Sequence, residues 1–332
     1  MYTPLVNVAS YDALLGEIRN FLNSTGDWTI HQNLVAPDEG VASGGRQLVM
    51  SNGDVLVGLR STDTGVGGDR LYLSDGIPPY ASGSTSFDNL NQNSGPRYSD
   101  GTINSASDPG FRHLQTFAGP FPTAHLFTDD PSTYCHVAVE VQAGVWKHLL
   151  FGNMIKFGTW VGGGYYTCTH WALDTSNIDS PGSPNHNSIF DAGPAGAGVG
   201  YDWTVHYDFG ANHWIAQNAT TAFPGVTRLQ GAAGFRGGYG HAFKQIPESL
   251  FSGLIPLAPC LIQAVRATDV PPTTRFIGQI PDIRQVNITN LEPNEVLTIG
   301  ADQWRVYPLK AKNGGADQYN SGINGIAYKV IP

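Results

Sequence analysis

HVAVEVQAGVWKHLLFG, residues 136–152, decides how this chain is read. Its apolar residues alternate with a period of two, as in a strand, until Gln142-Ala143-Gly144 interrupts them. With Gly144 at a left-handed position the segment becomes a bulged hairpin, because glycine takes that conformation without a Cβ clash. Val141 is then expected opposite Val145, Val139 opposite Lys147, Val137 opposite Leu149 and Cys135 opposite Phe151. That face is apolar except for Lys147, whose stem can lie along it while the ammonium reaches water. The other face carries Glu140 beside Trp146, Ala138 beside His148 and His136 beside Leu150. His136 and Glu140 share that face but lie roughly 13 Å apart along the strand, too far to share a proton or one metal ion. The hairpin therefore reads as scaffold. Of its two faces, one is expected buried and the other half-exposed; the alternative, raised by the aromatics and histidines of the outer face, is that a second sheet or another subunit covers that side.

The surrounding chain extends this β reading. QLVMSNGDVLVGLR holds Asn52-Gly53 between two apolar runs, a hairpin signal in which both turn residues take positive φ. Strands are also expected at TAHLFTDD, NMIKFGTW, YYTCTHW and YDWTVHYDF, and in the Pro- and Gly-punctuated final third. One helix is expected, SYDALLGEIRNFLNSTG. There Tyr11, Leu14, Leu15, Ile18, Phe21 and Leu22 fall at helical spacing, Ser10 caps the start and Gly26 the end. Residues 61–122 and 173–200 are rich in turn formers and poor in periodicity, and such stretches are usually functional or ordered by a neighbour. The expected fold is mainly β: an antiparallel β-sandwich-like body with one N-terminal amphipathic helix and long irregular loops. We divide it into an element of helix plus hairpin over 1–75 and a β-rich body over 76–332, with long loops at about 76–122 and 173–200.

Composition narrows the function classes. The chain has 332 residues, 18 basic and 27 acidic, and a formal charge of −9. That balance argues against a nucleic-acid partner, which needs clustered Lys and Arg. Only 14% of residues are charged, while Gly and Pro number 41 and 22. Either neighbours cover this weakly charged surface, or it is the ordinary surface of a loop-rich β protein. Cys135, Cys168 and Cys260 are odd in number and widely spaced, which suits buried thiols in a reducing compartment better than a disulfide framework. The opening MYTPLVNVASYDALLGEI lacks a basic n-region and an apolar core, and no run approaches the ~20 apolar residues of a membrane span. A soluble protein with no membrane partner is expected.

Site chemistry is sparse. Cys168-Thr169-His170 places a thiol and an imidazole on one strand face, and His206 and His213 bracket YDFGAN, yet no zinc-ligand spacing is present. DTSNID (174–179) is similar to a calcium loop but lacks its acidic third position, central Gly and terminal Glu. GxSxG, SxxK and the phosphate-binding loop are absent. Asp129 and Asp130 point apart on an extended chain, which disfavours a glycosidase pair. The sequons at Asn23, Asn218 and Asn287 read as chance. No catalytic residue, cofactor or metal ligand is therefore assigned, and the chain is expected not to be an enzyme. Tyr165, Tyr166, Trp171, Trp203 and Trp214 could stack on sugar rings, although core packing is the expected fate of each.

Three stretches resemble structural proteins of tailed-bacteriophage particles. HVAVEVQAGVWKHLLFGNMIKFGTWVGGGYY is similar to a segment in which a hydrophobic hairpin leads into an "fGxxxKfGxWxGG" run, here Phe151, Gly152, Lys156, Phe157, Gly158, Trp160, Gly162 and Gly163. The ending is similar to a "PGxxltiGxdtwkvfP" hairpin, here Pro293, Leu297, Thr298, Ile299, Gly300, Asp302, Trp304, Val306, Tyr307 and Pro308. A final "GyAykk" strand follows, here Gly325, Ala327, Tyr328 and Lys329. Asn294 stands where that pattern has Gly, which leaves the type of that turn open. The opening helix followed by GDWTIHQNL resembles their N-termini. The resemblance implies a subunit of a contractile tail or baseplate, made in the host cytoplasm and located in the virion. Its implied partners are other virion proteins in a symmetric, multi-copy assembly. A carbohydrate- or receptor-binding protein at the tail tip, touching host-surface glycan, is the alternative.

Overall fold

The structure is a computed structural model that describes residues 1–35, 45–62, 70–76, 112–115, 119–170, 187–188, 191–192, 203–207, 214–216, 227–229, 256–266, 273–308, 311–312 and 324–332. In chain order, β1 (Tyr2–Val8) and α1 (Tyr11–Thr25) precede β2 (Thr29–Val35), β3 (Arg46–Asn52), β4 (Val55–Thr62), β5 (Arg70–Gly76) and β6 (Arg112–Gln115). Next come β7 (Phe121–Phe127), β8 (Tyr134–Gln142), β9 (Val145–Asn153), β10 (Ile155–Lys156) and β11 (Gly163–His170). Five short strands follow: β12 (Asn187–Ser188), β13 (Asp191–Ala192), β14 (Trp203–Tyr207), β15 (Trp214–Ala216) and β16 (Thr227–Leu229). The last are β17 (Ala258–Arg266), β18 (Thr273–Asn287), β19 (Val296–Ile299), β20 (Asp302–Pro308) and β21 (Asn324–Val330).

The body is mainly β, antiparallel and sandwich-like, with α1 as the one helix among the described residues. A central sheet runs β1-β7-β8-β9-β11-β14-β15. On one face it shares a core with α1 and the helix-side sheet β2-β3-β4-β5-β6. On the other it packs against the C-terminal sheet β16-β17-β18-β21-β20-β19, with β10 added along β18. The separate pair β12–β13 completes the topology. A sheet covered twice explains the hairpin: alternation marks two different cores instead of a wet and a dry face.

The hairpin pairs as its alternation predicts, with Val139 opposite Lys147, Val137 opposite Leu149, Cys135 opposite Phe151, Glu140 opposite Trp146 and His136 opposite Leu150. The bulge falls at Val141, so Gln142 and not Val141 faces Val145; Gly144 takes φ 73°. Glu140 pins this turn by accepting from the Gly144 amide at 2.7 Å. Lys147 is 5% exposed, so its stem is buried along that face.

Other expectations are corrected in detail. Asn52 pairs with Val55, so the turn is Gly53-Asp54 with only Gly53 at positive φ (55°), the sign pattern of a type II′ turn. Asn52 instead spends its side-chain amide on the Ser132 carbonyl. Of NMIKFGTW, only Asn153, which ends β9, and β10 are strand. Strands β5 and β6 lie inside 61–122, and β12 and β13 inside 173–200, stretches read as irregular. Strand β18 runs through Pro281, with Asp282 at φ 49°. Asn294 sits at φ 67°, the left-handed region a glycine would occupy there.

The helix is capped as expected. The Ser10 hydroxyl accepts from the Ala13 amide at 3.2 Å, and Gly26 closes the end at φ 78°. Its apolar stripe enters the helix-side core. Past the cap, Asp27 accepts from the Ser132 amide at 2.7 Å and the Trp28 indole donates to the Ser132 hydroxyl at 2.8 Å. The GDW motif is thus a strap between α1 and the β7–β8 connection. Edge strand β1 pairs with β7 from Tyr2 to Val8 but skips Asn7, which takes φ 51° opposite Pro122; Pro4 supplies no amide donor. No described helix is long and apolar enough to cross a membrane.

Candidate functional site

Three histidines converge on the seam between the central and C-terminal sheets. His125 on β7, His136 on β8 and His148 on β9 are 4%, 0% and 0% exposed. Register explains the meeting: Ala138 lies opposite His125 on one side and His148 on the other, so all three share its face. Across the seam stand Tyr307 of β20, Tyr328 of β21 and isoleucines of β18 and β21.

Each imidazole meets a tyrosine hydroxyl. His148 Nε2 lies 2.9 Å from the Pro308 carbonyl, which only accepts, so in the neutral ring Nε2 carries the proton. Its Nδ1 then accepts from the Tyr328 hydroxyl at 2.7 Å. His136 Nε2 is bonded to the Tyr166 hydroxyl at 2.5 Å, and its ring stacks on Tyr134 with centroids 4.1 Å apart. His125 Nδ1 is 2.9 Å from the Tyr2 hydroxyl. His125 Nε2, His136 Nδ1 and the Trp146 indole nitrogen are buried with no hydrogen-bond partner.

Burial holds two of these rings, His125 and His136, neutral. It pushes His136 well below the ordinary imidazole value, and with the Arg305 cation nearby it pushes His125 down to about 4. Arg305 lies over the Tyr2 ring at 4.8 Å and donates to the Asn294 side-chain oxygen at 2.7 Å, which also accepts from Tyr307. The Tyr134 hydroxyl donates across the seam to Asp282 at 3.0 Å, and burial, then Asp282, push that phenol well up. The network is aromatic and buried. It can join two sheets; it presents no nucleophile to a substrate.

The remaining candidates are accounted for one by one. The Asp129 carboxylate accepts from the Thr133 amide and hydroxyl, and so shapes a loop. Asp130 is exposed. Tyr165 and Tyr166 are fully buried in the two opposite cores, so neither can stack on a sugar. Trp171, His213 and residues 174–179 lie outside the described residues, as do the side chains of Cys168, His170, Trp203, His206 and Trp214. Among the described residues no group of three or more His, Cys, Asp or Glu could hold a metal ion.

The segment 153–164 is more outward-looking. It leaves β9, crosses to the C-terminal sheet through β10, which pairs with Gly278 and Gln279, and returns to β11. Met154 donates to the Gly164 carbonyl at 2.7 Å and Phe157 to the Ile277 carbonyl at 2.9 Å. Lys156 lies over the Trp160 ring at 5.3 Å and donates to the Gly162 carbonyl at 3.1 Å. A Cβ at Gly164 would fall 2.1 Å from the Lys156 chain, which accounts for that glycine. Ile155, Phe157 and Val161, in contrast, are 50%, 51% and 74% exposed. Sequence reading treated this segment as strand and so missed the outward display; the Gly158 and Gly162–Gly164 punctuation was the available signal. No protein-family model matches the chain, and none of the curated proteins compared with it is similar.

Proposed function

We propose that the chain is a non-enzymatic structural subunit of a bacteriophage tail or baseplate, acting through protein–protein contacts in the assembled virion. The observation that carries this reading is the pairing of a closed interior with an apolar display. The described histidines of the seam and Asp129 are consumed in packing or loop closure. Three large apolar side chains project between residues 155 and 161, and more stand out at Val6, Val296 and Ile299. Exposed apolar clusters of this kind mark interaction surfaces. The segment that displays them also carries the Lys156, Phe157, Gly158 and Trp160 run that resembles phage structural proteins.

The test counts this chain against the major tail-tube protein in purified particles by quantitative mass spectrometry. A low copy number matching the tail's rotational symmetry is expected. Absence from the particle overturns the reading. In addition, Phe157→Asp is expected to leave the thermal midpoint within a few degrees of the parent while excluding the chain from particles.

A further inference from the structure

The two faces of the central sheet differ in one chemical respect. Among the described residues the three buried histidines, His125, His136 and His148, lie on the face toward the C-terminal sheet, and no described histidine lies in the core shared with α1 and the helix-side sheet. We propose that the seam is an acid-labile joint: proton uptake by His125 and His136 parts the C-terminal sheet from the central sheet while the helix-side core stays folded.

The geometry makes a second proton costly at both rings. His125 is faced by Tyr2 of β1, Trp146 of β9, and Tyr307 and Arg305 of β20. Three of these are neutral and the fourth is already cationic, so no carboxylate among the described residues compensates a new charge. His136 is faced by Tyr134 on its own strand, Tyr166 of β11 and Tyr328 of β21. The described carboxylates of that neighbourhood, Asp282 of β18 and Asp129 of the β7–β8 connection, are bonded to the Tyr134 hydroxyl and to Thr133 respectively, and not to the imidazole. Each ring's second nitrogen would become or remain a buried donor with nothing to receive it. In the parted state both rings reach water and both protons are accepted freely.

The direction follows from linkage. A base whose value is depressed in the closed state leaves closure at full strength above about pH 6.5 and weakens it as the pH falls toward the closed-state value. For His125, lowered from 6.5 to about 4, closure weakens about tenfold per pH unit, a total of about 300-fold. His136, lowered well below 6.5, steepens this to about a hundredfold per unit while both titrate. Carboxylates titrate mostly nearer pH 4, so the range from about 6.5 to 5 isolates the imidazoles.

Hydrogen–deuterium exchange of the full chain, read by mass spectrometry from about pH 7 to about pH 4.5 and corrected for intrinsic rates, tests the joint. Peptides from β17, β18, β20 and β21 are expected to lose protection in this window while α1, β3 and β4 keep theirs. In His125→Phe, which keeps a ring in the seam, the pH slope of that loss is expected to fall by about half. Loss of protection in both regions together, or full protection of the C-terminal sheet to the lowest pH, overturns the proposal in the unaltered chain alone. An unchanged slope in His125→Phe overturns it as well.

Discussion

Gly152 and Gly144 sit at the two ends of β9, both at positive φ, and alanine at each separates backbone strain from steric conflict. At Gly144 (φ 73°) an added Cβ meets nothing within 4 Å, so Gly144→Ala costs only the left-handed conformation, about 1–2 kcal/mol. At Gly152 (φ 147°) the Cβ would lie 2.3 Å from Tyr134 Cβ, 2.4 Å from Tyr134 Cα and 2.8 Å from the Thr133 carbonyl oxygen. Ordinary contact requires β8 and β9 to separate by about an ångström, and close-packed interiors transmit such shifts instead of absorbing them. Tyr134 cannot yield alone, since its ring stacks on His136 and its hydroxyl holds Asp282. Overpacking adds about 1–3 kcal/mol to a backbone strain of about 1–3 kcal/mol, so Gly152→Ala is expected to lose about 3–5 kcal/mol. Urea unfolding followed by far-ultraviolet circular dichroism, with the two variants compared at equal slope, measures the difference. A Gly152→Ala midpoint matching that of Gly144→Ala would refute this account of the close approach.

Tyr328→Phe keeps the stacking on Phe127 (4.8 Å) but strips His148 Nδ1 of its donor; a loss of about 1–3 kcal/mol is expected in the same unfolding assay. Ser10→Ala removes the cap of α1 and should cost about 1 kcal/mol, recovered in large part by Ser10→Asp. Cys135 and Cys260 are free and buried; burial pushes the first thiol strongly up and the second up to about 12. Peptide mapping after iodoacetamide at neutral pH should find both unmodified in the folded chain and both modified in urea, and native labelling of Cys135 would contradict its enclosure.

Local alternation was enough to expose the hairpin's pairing and its two faces, because side-chain direction in a strand depends only on parity. What covers each face was not legible: His148 and Tyr328 are 180 positions apart, and nothing near either names the other. The Asn52-Gly53 signal placed a turn but missed its register by one residue, because Asn52 is engaged by Ser132 from a distant loop. Strand β1 escaped notice because Pro4 is a breaker in isolation, although an edge strand tolerates it. Strand β18 likewise runs through Pro281, with a kink at Asp282. The histidines were each legible as structural residues. Their convergence needed the register of β7, which the sequence of His125 alone does not contain.

The rim formed by β1 sets how the chain can aggregate. A strand arriving there to lengthen the sheet would need an unbroken row of amides and carbonyls, and it finds a proline at position 4 and a left-handed asparagine at position 7. Growth by sheet extension is blocked at that end, so crowding many copies together does not invite a fibril to start from it. Contacts made on this side must instead be read by side chains, which can tell one neighbour from another.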